Sequence, residues 1–348
     1  MRQKIDKYLF YLRLSAVICV QKAVLYLMKN SHKPVMSHEV CTGCSCCLLS
    51  CPVWNRTKDR SLTAQGRNKA LQGGATVEDI SNAIDSCLLC GACEPNCPEG
   101  NDIVGLTIEQ RRLLNMARKG YPSWYPATEA KPTKGVRLQY KGVTLLAGKA
   151  LRDDKEGCEA VLKHLGKGSV LASDDGSDIL RSIEAGLQVN KSRTDDFIYP
   201  LNSAGPLVLA EGGLRRHLKE WLPDKKIVGL GEALLSIDSI RRSLGPDDLY
   251  IIECRVYHSD YARLVRFYDR VRMDTGAQFN LDLQRIAIPT GTTSIQAYED
   301  IEAAGCIEQL KWILYGRKVG RIIVETTADI EAFRRVTDIP VVHVALLA

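Results

Sequence analysis

The chain has 348 residues, of which 13 are cysteine, and its 47 basic and 41 acidic side chains leave a net charge of +6. With 45% hydrophobic residues it is too apolar for a disordered chain, and it lacks the composition of a fibrous one. Its length predicts about two domains, because single cores stop growing near about 250 residues. Residues 1–34 hold seven Lys/Arg and one Asp, which accounts for the whole excess, so no affinity for nucleic acid is expected of the rest.

Residues 1–34 read as an apolar, basic helix. Arg13, Gln21 and Lys22 interrupt its apolar stretch, leaving no clean span of about 20 residues. At about 100° per residue, Lys4, Lys7, Lys22 and Lys29 share one narrow face, with Arg13 opposite. Such a stripe suits docking on the chain's own domain or a partner, and equally suits contact with an anionic membrane surface. No small-residue cleavage pattern follows, which disfavours a secretory signal.

Nine of the cysteines fall between Cys41 and Cys97. Two runs, Cys41-Thr-Gly-Cys44-Ser-Cys46-Cys47-Leu-Leu-Ser-Cys51-Pro52 and Cys87-Leu-Leu-Cys90-Gly-Ala-Cys93-Glu-Pro-Asn-Cys97-Pro98, share the spacing C-x2-C-x2-C-x3-C-P. Three thiolates at this interval wrap one cuboidal cluster on a tight loop, and in two-cluster ferredoxins the fourth ligates the other cluster. The spacing therefore assigns Cys41, Cys44, Cys47 and Cys97 to one 4Fe-4S cluster and Cys87, Cys90, Cys93 and Cys51 to a second. Gly43 and Gly91 let backbone approach inorganic sulfide. A disulfide framework suits short secreted domains, and zinc takes two C-x2-C pairs, which would leave half of each run without a purpose. Cys46 is out of register and reads as a bystander.

With its long insert containing Gly66-Arg67 and Ala70-Leu71-Gln72-Gly73, the stretch 41–112 resembles the ferredoxin-type module in the small iron-sulfur component of heterodisulfide reductase. It is also similar to the iron-sulfur components of anaerobic glycerol-3-phosphate dehydrogenase and of glycolate oxidase. The resemblance implies electron transfer inside a multisubunit oxidoreductase.

The ferredoxin-type domain is expected over 35–120 and a linker over 121–139, where Pro122, Pro126 and Pro132 block regular pairing. Beyond it, short apolar runs at 143–147, 170–172, 207–210, 227–230, 249–252, 286–288, 322–324 and 341–346 alternate with helical periodicities around Cys158–Leu165 and Leu264–Tyr268. The pattern predicts an α/β domain with mostly parallel sheets over 140–348. Residues 140–245 and 247–348 can be laid over each other as a duplicated pair.

This architecture resembles the paired domains, named for Cys-Cys-Gly motifs, that follow the ferredoxin module in the glycerol-3-phosphate dehydrogenase component and form the disulfide-cleaving component of heterodisulfide reductase. There, turns after the strands carry cluster cysteines. Here the corresponding positions read Ser173-Asp174-Asp175-Gly176, Glu211-Gly212-Gly213, Pro289-Thr-Gly-Thr-Thr and Thr326-Thr327, leaving Cys254 alone. One thiolate cannot hold a cluster. Cys158 and Cys306 read as core residues. His164, His217, His258 and His343 receive no role. Gly212-Gly213 and Gly229-Leu-Gly231 complete no nucleotide-binding motif.

The expected function is an iron-sulfur electron-transfer subunit of a heterodisulfide-reductase-like or flavin-dependent complex. It would relay single electrons through two 4Fe-4S clusters and have no substrate-converting site of its own. The resemblance implies a flavoprotein or catalytic redox subunit as partner, with FAD or another flavin there, and a cytoplasmic location, with contact to a membrane surface through residues 1–34 left open. Two alternatives stand beside it: the quinone-side, membrane-associated subunit of a glycerol-3-phosphate or glycolate type dehydrogenase, and a ligand-binding redox regulator.

Overall fold

The computed structural model describes residues 36–122, 124–125, 140–302 and 304–347. The expected helix at 1–34, Cys19 within it, and most of the expected linker lie outside the described residues.

The cysteine-rich module is built from short helices joined by tight turns. Helix Pro52–Thr57 starts directly after Cys51, with proline at its first position, where no amide hydrogen is needed. Helix Ala64–Gln72 is capped by Thr63, whose hydroxyl accepts from Gly66 N–H at 3.3 Å. The corresponding proline after the other run, Pro98, lies in a turn; the next helix, Ile103–Arg118, starts five residues later, capped by Asp102. That helix buries Ile103, Leu106, Thr107, Gln110, Arg111 and Leu114.

The remainder is α/β. Strands β1 (Thr144–Leu146), β2 (Val170–Leu171), β3 (Leu207–Leu209) and β4 (Ile227–Gly229) form a parallel sheet of order β2-β1-β3-β4. Strands β5 (Asp248–Ile251), β6 (Gln278–Phe279), β7 (Arg321–Val324) and β8 (Val341–His343) form a second parallel sheet of order β6-β5-β7-β8. Covering on both faces explains why the central strands read as continuous apolar runs. Alternate residues still separate: Leu145, Val208, Tyr250 and Ile323 enter one core shared by the two sheets. Leu146, Leu207 and Leu209 face a second core with Phe197 and Leu218, while Leu249, Ile251, Ile322 and Val324 face a third with Leu310 and Phe333.

One expected strand is corrected. Residues 286–288 add no strand to the sheet; β6 is Gln278–Phe279, a pair without an apolar signature. A turn at Asp282 folds the run back: Ile286 N–H reaches the Asp282 carboxylate at 2.9 Å, and Ile288 N–H reaches Asn280 O at 2.6 Å. Only one isolated antiparallel bridge, Leu281 to Ala287, results. The three residues are nonetheless buried, so burial, and not sheet membership, is what their hydrophobicity reported. Likewise the run 341–346 divides into β8 and a 3-10 turn, Val344–Leu346.

Carboxyl groups gather at the carboxyl ends of three strands. Glu211 follows β3, Glu253 follows β5 and Glu325 follows β7, all in buried surroundings. Glu253 N–H donates to Glu325 Oε2 at 2.8 Å and Tyr268 OH donates to Glu325 Oε1 at 2.5 Å. Val256 N–H donates to Glu253 Oε2 at 2.6 Å, and Ala150 N–H to Glu211 Oε1 at 3.2 Å. Gly231 leaves room for the Glu325 carboxyl, since a Cβ there would stand 1.7 Å from Oε1. Burial pushes Glu211 and Glu325 up to about 7 and Glu253 up to about 8, and on the neighbouring helix Asp329 up to about 6.

These folded-state values lie above the ordinary carboxyl range, so between the two the native state binds more protons than the unfolded chain. The stability these carboxyls contribute therefore falls as pH rises from about 4.5 to about 8, against the opposite pull of His258 and His343, which burial holds down at about 4. Replacing Glu325 by Gln removes one contributor, so the melting temperature of Glu325→Gln should decline less between about pH 5 and about pH 8 than that of the parent. Equal slopes in thermal melts of the two proteins would contradict the assignment.

Candidate functional site

The eight cysteines singled out by spacing surround two neighbouring cavities. Cys41, Cys44, Cys47 and Cys97 line one; Cys51, Cys87, Cys90 and Cys93 line the other, and Cys47 also borders the second. Each run thus contributes its first three thiols to one cavity and its fourth to the other. Cys46 lines neither.

The two loops share a backbone device. The residues just before and just after the second cysteine are left-handed in both: Gly43 (φ 81°) and Ser45 (φ 66°) flank Cys44, and Leu89 (φ 52°) and Gly91 (φ 74°) flank Cys90. Glycine accepts that region freely, whereas Ser45 and Leu89 hold it at a cost of about 1–2 kcal/mol each. Between them these turns point three successive thiols inward.

Backbone N–H groups are directed at the sulfurs. Cys44 receives the N–H of Cys46, Cys47 that of Gln65, Cys51 those of Trp54 and Val53, Cys87 that of Leu89, and Cys90 that of Ala92. Such donors favour negatively charged sulfur. Burial opposes them: it pushes the Cys47 thiol up to about 12 and raises Cys51, Cys90 and Cys93 as well. At Cys87 burial also pushes up, yet the charges of Arg67 and Arg111 together with hydrogen bonds from the Leu89 N–H and Arg67 outweigh it, and the thiol sits below its ordinary value. Exposed Cys44 is drawn down, first by the Cys46 N–H.

This donor set fits a 4Fe-4S cluster in each cavity. Thiols buried this deeply become thiolates only beside a cationic core, and the N–H groups suit sulfide and thiolate acceptors. Among the described residues no three His, Cys, Asp or Glu side chains converge closely enough for a single metal ion.

The two cavities differ in setting. Exposed Cys44 opens the first toward solvent, whereas the α/β domain closes over the second. His258 Nδ1 lies 2.8 Å from Cys90 O, and a Cβ on Gly91 would stand 3.1 Å from the Cβ of His258. Gln296 Nε2 donates to Asp85 O at 2.6 Å, and Asn115 Nδ2 donates to Ala185 O at 2.6 Å. Arg216 pairs with Glu94 and with Asp102, the latter at 3.0 Å. Between the domains a further cavity of about 300 Å³ touches Leu89, Cys90 and Gly91; aliphatic Val104, Ile108, Leu180 and Ile183 line one part of it, and Arg216 and His217 with the acidic Asp102, Glu109, Glu184 and Glu220 line another.

Spacing could not flag His258, Arg111 or Gln296, because each acts through a partner far away in sequence. The glycine pair after β3 serves packing: a Cβ on Gly212 would strike Val256 N at 2.2 Å, and one on Gly213 would strike Leu180 at 2.5 Å. Buried Cys158 and Cys306 lie in helices Lys155–Leu165 and Cys306–Leu314. Cys254 is buried at the start of helix Cys254–Ser259. Around it the turns after the strands present carboxyl and hydroxyl oxygens, with Thr293 donating to Glu253 at 3.2 Å and Thr292 to Asp329 at 2.6 Å. A single thiol among hard oxygen donors does not fit an iron-sulfur cluster.

Residues 37–101 match the 4Fe-4S dicluster domain family. The chain is 33% identical over 85 residues to the probable glycolate oxidase iron-sulfur subunit of Bacillus subtilis, an alignment covering 23% of this chain and 19% of that protein. It is 35% identical over 88 residues to an iron-sulfur subunit of the CoB–CoM heterodisulfide reductase of Methanopyrus kandleri, covering 25% of this chain and 43% of that one. The matched part thus spans less than half the length of either relative. No solved structure matches the chain. The matches fall on the cysteine-rich module, which is similar to 4Fe-4S dicluster domains and to parts of iron-sulfur subunits.

Proposed function

We propose that this chain is the electron-relay subunit of a multisubunit oxidoreductase. Cys41, Cys44, Cys47 and Cys97 would hold one 4Fe-4S cluster, and Cys51, Cys87, Cys90 and Cys93 the other. The observation that carries this reading is the exchange of the fourth thiol between two adjoining cavities. When bound, the clusters supply one-electron chemistry, with potentials set by hydrogen bonds, charge and exposure. The chain's own contribution is to hold the sulfurs, direct N–H groups at them and exclude water from the inner cavity.

The α/β domain, read as a duplicated pair over 140–348, is supported by the identical strand order of its two sheets. Its role is to cover the inner site; oxygen-bearing side chains in its strand-end turns support a domain without a redox centre of its own. The relatives' names support a partner subunit, and a flavoprotein is the partner we propose, with the complex in the cytoplasm.

The cavity beside Cys90 favours a second reading, in which a small electron acceptor of the quinone class binds between the domains. Its aliphatic walls suit a flat neutral ring, and Arg216 and His217 can donate to carbonyl oxygens.

Anaerobically reconstituted full-length chain should bind about eight irons, the content of two cubanes. Cys44→Ser should impair one cluster, whereas Cys158→Ala should retain both; about four irons in the parent, or zinc in place of iron, would sink the relay reading. Equilibrium dialysis of the loaded chain against a soluble naphthoquinone discriminates the second reading. Saturable binding weakened about tenfold or more by Ile183→Trp supports it, and purely linear partitioning removes it.

A further inference from the structure

Two arginines stand out by burial without an anionic partner. Arg67 and Arg111 are 2% and 1% exposed. Arg67, on helix Ala64–Gln72, donates Nη1 to Ala83 O at 3.1 Å and Nη2 to Thr107 Oγ1 at 2.9 Å, and its Nε has no partner among the described residues. It lines the cavity of Cys51, Cys87, Cys90 and Cys93. Arg111, on helix Ile103–Arg118, donates to Glu184 O at 2.6 Å and to Cys87 O at 2.5 Å, with its guanidinium 5.0 Å from the centre of the Trp124 ring. All of these partners are neutral. The nearest carboxylate to Arg111, Asp85, acts on it at longer range and makes its ion pair with Arg118 at 2.8 Å, while Arg255 and Arg216 have carboxylates of their own.

Burying a guanidinium charge against neutral dipoles alone is strongly unfavourable, and this group does not shed its proton at physiological pH. A buried anion therefore belongs beside the pair. The first cavity offers a contrast: no basic side chain lines it, and Glu99 does.

We propose that Arg67 and Arg111 are the counter-ions of the cluster held by Cys51, Cys87, Cys90 and Cys93, and that they hold its reduction potential above the value that burial alone would impose. This rests on the two-cluster reading above. A cubane with four thiolates carries about −2 when oxidised and about −3 when reduced. Two guanidinium groups balance the first state and favour the second. One electron is gained from the reducing partner or titrant, no bond forms or breaks, and no proton is required.

The test is a redox titration of the reconstituted full-length chain followed by EPR, comparing the parent with Arg67→Met, Arg111→Met and Arg67→Lys; Cys44→Ser identifies which signal belongs to the outer site. Each Met variant should move the inner signal to a more negative potential and leave the outer one in place. Arg67→Lys should restore most of the shift. No movement, or equal movement of both signals, overturns the inference. If Arg67→Met loses iron, loading is compared in Arg67→Gln and Arg67→Lys: recovery only with Lys supports a counter-ion, and recovery with both refutes it. A parent chain that binds only about four irons defeats the two-cluster reading itself, whereas full loading with unmoved potentials defeats this inference alone.

Discussion

The constraint on which the module depends is the crossing of its fourth cysteines. Because Cys51 joins the thiols of the distant run and Cys97 joins those of the near one, neither cavity is complete without both loops. The insert between the runs must therefore return on itself, and the helix Ala64–Gln72 packs its Arg67 and Asn68 against the two sites in turn. The wall between the cavities is as thin as Cys47, which borders both. Redox groups held in these two cavities would be neighbours by construction, and single-electron exchange between them would need no motion of the protein.

The α/β domain takes its place from that arrangement. Gln296 and His258 contact the loop from Asp85 to Gly91, the main chain of Glu184 and Ala185 meets Arg111 and Asn115 on helix Ile103–Arg118, and Arg216 pairs with Glu94 and Asp102. Two sheets of the same strand order share one core, so the domain presents a rigid surface to that loop. The ends of its strands, where a redox site of their own would need thiols, are filled by Glu211, Glu253 and Glu325 and the hydroxyls that bond them.

Ligation chemistry made the cysteine runs legible, because a cuboidal group fixes the spacing of thiols whatever the rest of the fold does. The central strands were legible for a related reason: Leu207–Leu209 and Arg321–Val324 are covered on both faces, and continuous hydrophobicity reports that directly. The edge strand Gln278–Phe279 was not, since two residues at an edge need no pattern, and the run at 286–288 misled because a buried turn wants the same side chains as a strand. His258 and Arg111 stayed hidden for another reason. His258 acts on Cys90 across 168 residues and Arg111 on Glu184 across 73, and no local periodicity records such a meeting. The left-handed Ser45 and Leu89 were equally silent, because only their counterparts Gly43 and Gly91 advertise that conformation by residue type.

The cover over the second cavity bears on how each thiol group is reached. Leu88 and Gly291 meet across the domain boundary, with a Cβ on Gly291 only 3.1 Å from Leu88 Cδ1, and His258 rests on Gly91. Once those surfaces meet, the cavity between the domains remains beside Cys90, while the loop around Cys44 stays exposed. A cluster in the outer cavity would therefore meet solvent directly at Cys44, whereas one in the inner cavity would be reached through the space between the domains.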